Sequence, residues 1–206
     1  MKVVKLFVAV AMCALIGQGI ARAERPFQLA LWPPDIQLVD EGESIHGLRL
    51  EVYGRNKDVT GVDLGFVHET TGFFHGVDFG LASIVGGEMA GLQWNMLYSQ
   101  TTGEARGWSA GFLTRVGPNS RGLLTSAVSM TDGEFTGLQL SFIYSDVKGD
   151  ATGLQTGLFN HANYIAGVQL GIINIADDMN GLQIGLWNEI KSKKEWSVIP
   201  LVNWNF

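Results

Sequence analysis

The sequence predicts an all-β protein built from tandem repeats, read first as an antiparallel meander closed into an outer-membrane β-barrel of about 12 strands. Three observations lead there. A glycine-led phrase (glycine, apolar, polar, apolar) begins near residues 47, 61, 76, 91, 107, 122, 137, 153, 167 and 181, at intervals of 14 to 16. Within each copy apolar and polar residues alternate, and the chain stops on the aromatic Phe206. A unit this short cannot bury its own apolar face and must lean on its neighbours.

The amino-terminal segment reads as an address. Lys2 and Lys5 precede an apolar run from Leu6 to Ile16, and Ala21-Arg22-Ala23 is a small-residue cleavage site, so residues 1–23 are expected to be a secretory signal peptide. Residues 24–206 then form one repeat-built β domain, with no Pro-, Ser- or charge-rich linker to divide it. Cys13, the only cysteine, lies in the leader, so disulfides and thiolate metal sites are not expected in the mature chain. Removing Lys2, Lys5 and Arg22 leaves 11 basic against 20 acidic residues, 11 − 20 = −9. Such a balance argues against nucleic acid as a partner.

Each repeat predicts one strand. In Gly137-Leu138-Gln139-Leu140-Ser141-Phe142, the residues Leu138, Leu140 and Phe142 share one face, and Gly137, Gln139 and Ser141 share the other. Val59, Phe74, Met89, Phe135, Ile165 and Met179 sit two places before a repeat glycine, which puts them on the glycine and glutamine face. Turns are expected at Thr71-Gly72, Gly86-Gly87, Gly117-Pro118-Asn119, Asp132-Gly133, Lys148-Gly149 and Asp177-Asp178. The repeats from Gly107 to Ser129 depart from the pattern through Trp108, Ala110 and Thr125.

Two architectures accept this unit. In the barrel, the leucine-type residues face lipid and Gly, Gln, Asp and Ser face the interior. In the alternative, a β-solenoid with one coil per 14–16-residue repeat, the same apolar residues point inward and the glutamines face water. The carboxyl terminus favours the barrel. Trp196, Val198, Val202, Trp204 and Phe206 fall on one parity, and Phe27–Trp32 forms a further alternating strand at the other end. Ten repeats and two terminal strands make twelve, an even number, as single-chain bacterial barrels require. Trp32, Trp187, Trp196 and Trp204 would form an interfacial belt, and Phe74, Met89 and Phe135 would narrow the lumen. Two features point the other way: the intervals lack the short-turn, long-loop rhythm of barrels, and the apolar stripe is often only three residues long.

Chemistry-bearing motifs are sparse, and the reading is non-enzymatic with no cofactor, metal or catalytic residue assigned. His46, His68, His75 and His161 read as solvated turn histidines. Ser109, Ser126 and Ser141 have no histidine paired with them by pattern, as an activated nucleophile needs. Asp177-Asp178 and Glu41 with Glu43 read as solvated turns rather than calcium ligands. The basic cluster Lys191, Lys193 and Lys194 reads as a charged hairpin tip, with lipopolysaccharide phosphate as a second possibility. The terminal strand ending in Phe206 is expected to engage outer-membrane lipid and the barrel-assembly machinery.

The phrase Gly181-Leu182-Gln183-Ile184-Gly185-Leu186-Trp187-Asn188, the lead-in Gly47-Leu48-Arg49-Leu50 with Tyr53-Gly54-Arg55-Asn56, and the close from Ile199 to Phe206 resemble the bacterial surface-repeat proteins built from tandem GLQ-type repeats. The resemblance implies a Gram-negative cell-envelope or surface location and carries no catalytic motif. The expected function is therefore a cell-envelope protein with a structural, surface-interaction or narrow-pore role, the alternative being a secreted or surface-attached solenoid that acts as a binding platform.

Overall fold

The computed structural model describes residues 25–206, so the expected signal peptide lies outside the described residues. All regular structure among them is β: β1 (Phe27–Trp32), β2 (Ile36–Gln37), β3 (Ile45–Asn56), β4 (Val59–Thr70), β5 (Phe74–Val85), β6 (Met89–Thr101), β7 (Ala105–Val116), β8 (Ser120–Thr131), β9 (Phe135–Thr156), β10 (Phe159–Leu170), β11 (Ile173–Gly185), β12 (Trp187–Ile190) and β13 (Leu201–Asn205). From β3 to β12 each strand pairs with the next in parallel, and the order along the sheet is the order along the chain.

This is a β-solenoid of about ten coils, and it overturns the barrel. A barrel needs antiparallel neighbours and a first strand that meets the last. Here repeat glycines pair across coils, Gly47 with Gly61, Gly107 with Gly122 and Gly167 with Gly181, while β1 and β12 stand at opposite ends of the stack. The irregular repeats from Gly107 to Ser129 keep the same register.

The bend that closes each coil is visible in the burial pattern. Counting from the repeat glycine, positions −2, +2, +7 and +9 point inward (+8 and +10 on the second arm of the 16-residue coils from Gly91 and Gly137), whereas +5 and +6 both point outward, as at Met96-Leu97, Phe142-Ile143 and Leu186-Trp187. Two successive outward residues break the alternation of a flat strand, so each repeat is two short arms joined by an arc. This is why the apolar stripe is too short to span a bilayer. The expected turns at Lys148-Gly149 and Asp177-Asp178 run through as extended chain inside β9 and β11, and beyond β9 the strand breaks fall at the arcs instead, near Gly157, Gly171 and Leu186.

The polarity of the expected solenoid is also reversed. Gln93, Gln139, Gln155, Gln169 and Gln183 are buried, and the leucine-type residues at +1 and +3 face out. Inside, the two ends of each coil differ. At the turn end an apolar core runs the length of the stack through Ile45, Val59, Phe74, Met89, Phe135, Ile165 and Met179, faced by Val85, Val116, Val147 and Ile190. At the arc end the interior is polar. Gln183 donates to Gln169, and Gln169 to Gln155, each at 2.7 Å, while Asn160 donates to Asn174 and Asn174 to Asn188 at the same distance. Each glutamine also donates across the coil, to Ser145, His161, Ile175 or Glu189 carbonyls. Amide ladders of this kind make burial of a polar row tolerable, because donor and acceptor repeat at the strand spacing.

The repeat glycine is fixed by the same stacking. A Cβ on Gly91, whose φ is +129°, would lie 2.0 Å from the carbonyl oxygen of Gly76 one coil away. No other residue fits there.

Both ends of the stack are capped by pairing rather than by a polar lid. β1 adds in parallel, with Phe27 beside Leu48, Gln28 beside Arg49 and Leu29 beside Leu50. β13 adds antiparallel to β11, with Trp204 beside Leu182, Asn203 beside Gln183 and Val202 beside Ile184. Asn203 closes the buried amide row by donating to the Asn188 and Ser197 carbonyls. The terminal strand thus covers a solenoid end, and Phe206 closes no barrel.

Candidate functional site

Two arrangements stand out. The first is the arc edge. Positions +1, +3, +5 and +6 of the ten coils make forty sites with no charged residue among them, broken in polarity only by Tyr53, Thr125 and Thr156. Apart from Ala110, all are half-buried or exposed. Phe66, Met96, Leu97, Phe112, Phe142 and Leu186 are the most prominent, with Phe142 74% exposed. The two capping strands extend the rows through Phe27, Leu29, Val202 and Trp204. Twelve layers at the strand spacing give an apolar rim about 53 Å long. Midway along it a surface notch of about 340 Å3 is lined by Trp94, Met96, Phe112, Ala110, Thr125 and Ala127, where three small residues replace bulky ones. The opposite, turn edge carries the ion pairs, including Arg25 with Glu43, Arg106 and Arg121 with Glu104, and Arg115 and Lys148 with Asp132.

The second arrangement is a buried charge cluster in the first four coils. Along the inward +2 row, the first three members are Arg49, Asp63 and Asp78 before glutamine takes over at Gln93. Glu51 reaches in from the first arc, His68 from the facing arm of the second coil and Asn95 from the fourth arc. Arg49 donates from both Nε and Nη2 to Oδ2 of Asp63, and from Nη2 also to Thr70. Its Nε stands 3.3 Å from Oε1 of Glu51. Nδ1 of His68 lies 2.5 Å from Oδ1 of Asp78. Both oxygens of Glu51, Oδ1 of Asp63, Nε2 of His68 and Oδ1 of Asn95 have no hydrogen-bond partner.

Electrostatics follow from burial. Removal from water pushes the Glu51 carboxyl up to about 8, against the pull of Arg49. Burial also opposes the charge on Arg49, but Asp63 and Glu51 hold its guanidinium above the ordinary value. Burial lowers the His68 imidazole as well, yet the bond to Asp78 and the field of Asp63 outweigh it and raise the group.

The sequence-derived candidates are scattered. His68 is not a solvated turn histidine but a core residue, 1% exposed. His46 is exposed, His75 lies 3.9 Å from Glu88, and His161 lies 2.7 Å from Asp146. Ser126 and Ser141 share hydrogen bonds with Ser129 inside the coil, and Ser109 is buried one row over. Glu43 and Glu41 pair with Arg25 and Arg55, and Asp177 with Lys191. Asp178 accepts from Ser192 and from the Met179 amide. Lys193 donates to Asn203 and sits 5.9 Å over the Trp204 ring, which leaves Lys194 as the exposed member of the basic trio without such a contact among the described residues. Sequence reasoning missed the buried cluster. Its signal was present as the run Arg49, Asp63, Asp78 in the slots that later repeats fill with glutamine.

Comparison with protein-family models, curated proteins and solved structures gives no match.

Proposed function

We propose that the protein is a non-catalytic envelope scaffold that lies on a lipid surface through its arc edge. The observation that supports this reading is the inverted polarity of that edge, apolar outside and amide-laddered inside, over the full length of the stack. Contiguous apolar surface on this scale marks an interaction site. The edge is convex, because the chain bends between +3 and +6. Two convex edges meet along a line and bury little area, whereas an acyl layer yields to a ridge of this shape. The charged turn edge then remains in water, so the solenoid repeats in β-structure the division of an interfacial amphipathic helix. Trp32, Trp187 and Trp204 at the two ends suit the headgroup boundary. The resemblance to tandem-repeat surface proteins supports the same location.

Vesicle flotation tests it. The chain from residue 24 onward should float with phosphatidylethanolamine and phosphatidylglycerol vesicles, and a Phe112→Asp, Phe142→Asp, Leu186→Asp variant should stay in the dense fraction while keeping its β circular dichroism. Failure of the folded wild-type chain to float overturns the proposal. A stable dimer that the same triple substitution dissolves would assign the edge to a second copy instead.

A further inference from the structure

The geometry points to a divalent-cation site in the interior of the first four coils, with Glu51, Asp63 and His68 as ligands. One ligand atom from each, with either ring nitrogen serving for His68, lies within 4.8 Å of the others. Three ligands about 2.0–2.2 Å from a shared ion stand about 3.3–3.8 Å from one another, so an inward movement of each side chain by less than about 1 Å brings all three into contact. The donors are open for it. Glu51 has two oxygens without a hydrogen bond, of which only Oε1 is ion-paired with Arg49, Asp63 has one, and all three side chains are at most 1% exposed.

Each ligand is held from behind. Arg49 uses only Oδ2 of Asp63 and leaves Oδ1 unengaged. Asp78 accepts at Nδ1 of His68 and so directs the lone pair to Nε2, the arrangement by which a carboxylate orients a metal-binding imidazole. Gly80 leaves room beside that nitrogen, since a methyl group there would lie 3.0 Å from Nε2 of His68 and 2.8 Å from Oδ1 of Asn95, itself an unpartnered acceptor.

Charge points the same way. Three buried carboxylates, Glu51, Asp63 and Asp78, face one guanidinium, which leaves two negative charges in a dry interior when His68 is neutral. One divalent ion balances them. A mixed set of carboxylate oxygens and one imidazole suits a first-row ion of the zinc class better than calcium or magnesium, which take oxygen alone. The rival balance is by two protons, and the experiment separates the two.

The mature chain should be refolded from urea with two equivalents of Zn2+, desalted, and its metal measured by mass spectrometry alongside its melting temperature. One zinc per chain and a melting temperature raised by at least 5 °C over the chelator-refolded protein are expected. Glu51→Gln, which keeps the shape of the side chain, should lower the zinc content below 0.1 per chain and abolish the rise, and His161→Gln, outside the cluster, should change neither. Folded wild-type protein holding less than 0.1 zinc overturns the proposal in favour of a proton-balanced network. Full retention of zinc by folded Glu51→Gln overturns it by placing the metal elsewhere. Should Glu51→Gln fail to fold, the Co2+-substituted wild type decides, since absorption bands without a nitrogen ligand would exclude His68.

Discussion

Replacing Gln169 by leucine measures the inward orientation of the glutamine row directly. Gln169 donates to Oε1 of Gln155 at 2.7 Å and to the Ile175 carbonyl at 3.3 Å, and accepts from Gln183 at 2.7 Å. Leucine at this position removes all three bonds. Gln183 keeps its second acceptor, the Glu189 carbonyl, but Oε1 of Gln155 is stranded in the interior. A buried group left unsatisfied costs about 1–3 kcal/mol, and the lost bonds add about 1 kcal/mol each, against which the added apolar burial returns about 1–2 kcal/mol. The net expectation is a loss of about 2–5 kcal/mol, read by urea unfolding followed by circular dichroism. Leu170→Gln, one residue on and facing out, should shift stability by no more than about 0.5 kcal/mol, as surface substitutions do. A cost below about 0.5 kcal/mol at Gln169 together with a large one at Leu170 would refute the assigned polarity. Leu124 already occupies the same row in the sixth coil, buried between Ser109 and Gln139, which shows that the row accepts leucine where its neighbours make no ladder.

Two more outcomes follow from the interior. Gly91→Ala should prevent cooperative folding or cost more than about 3 kcal/mol, because the methyl group meets the Gly76 carbonyl at a φ that side chains avoid, while Gly42→Ala, with open space around it, should be neutral by the same unfolding assay. In metal-free protein the native Glu51 carboxyl titrates near 8 and its unfolded counterpart near 4.5. The native state therefore holds a proton that the unfolded chain has released, so the contribution of this group to stability is fully present below about 4.5 and is lost as pH rises toward 8. Urea titrations across that window should show the decline, and Glu51→Gln should flatten it.

Much of the fold was written in the sequence. The constant interval, the absent two-repeat rhythm and the short apolar stripe all belong to a coil rather than a spanning strand. Val59, Phe74, Met89, Phe135, Ile165 and Met179 shared parity with the glutamines, and that coincidence marked the true interior. The terminal Phe206 and the even count misled, because an amphipathic last strand serves equally to cap a stack. His68 was out of reach of spacing alone. Its partners come from its own coil and the two flanking it, and only closure of the coil and stacking bring Asp63, Glu51 and Asp78 to it.

By itself the sequence determined a repeat-built β protein, its unit length, its glycine ladder and the single parity that joins glycine, glutamine and the large apolar residues. Tertiary structure decided which parity faces inward. Alternation is symmetric between the two faces of a strand, and only the arc at +5 and +6, with amides bonded from coil to coil, breaks that symmetry in favour of a polar interior and an apolar rim.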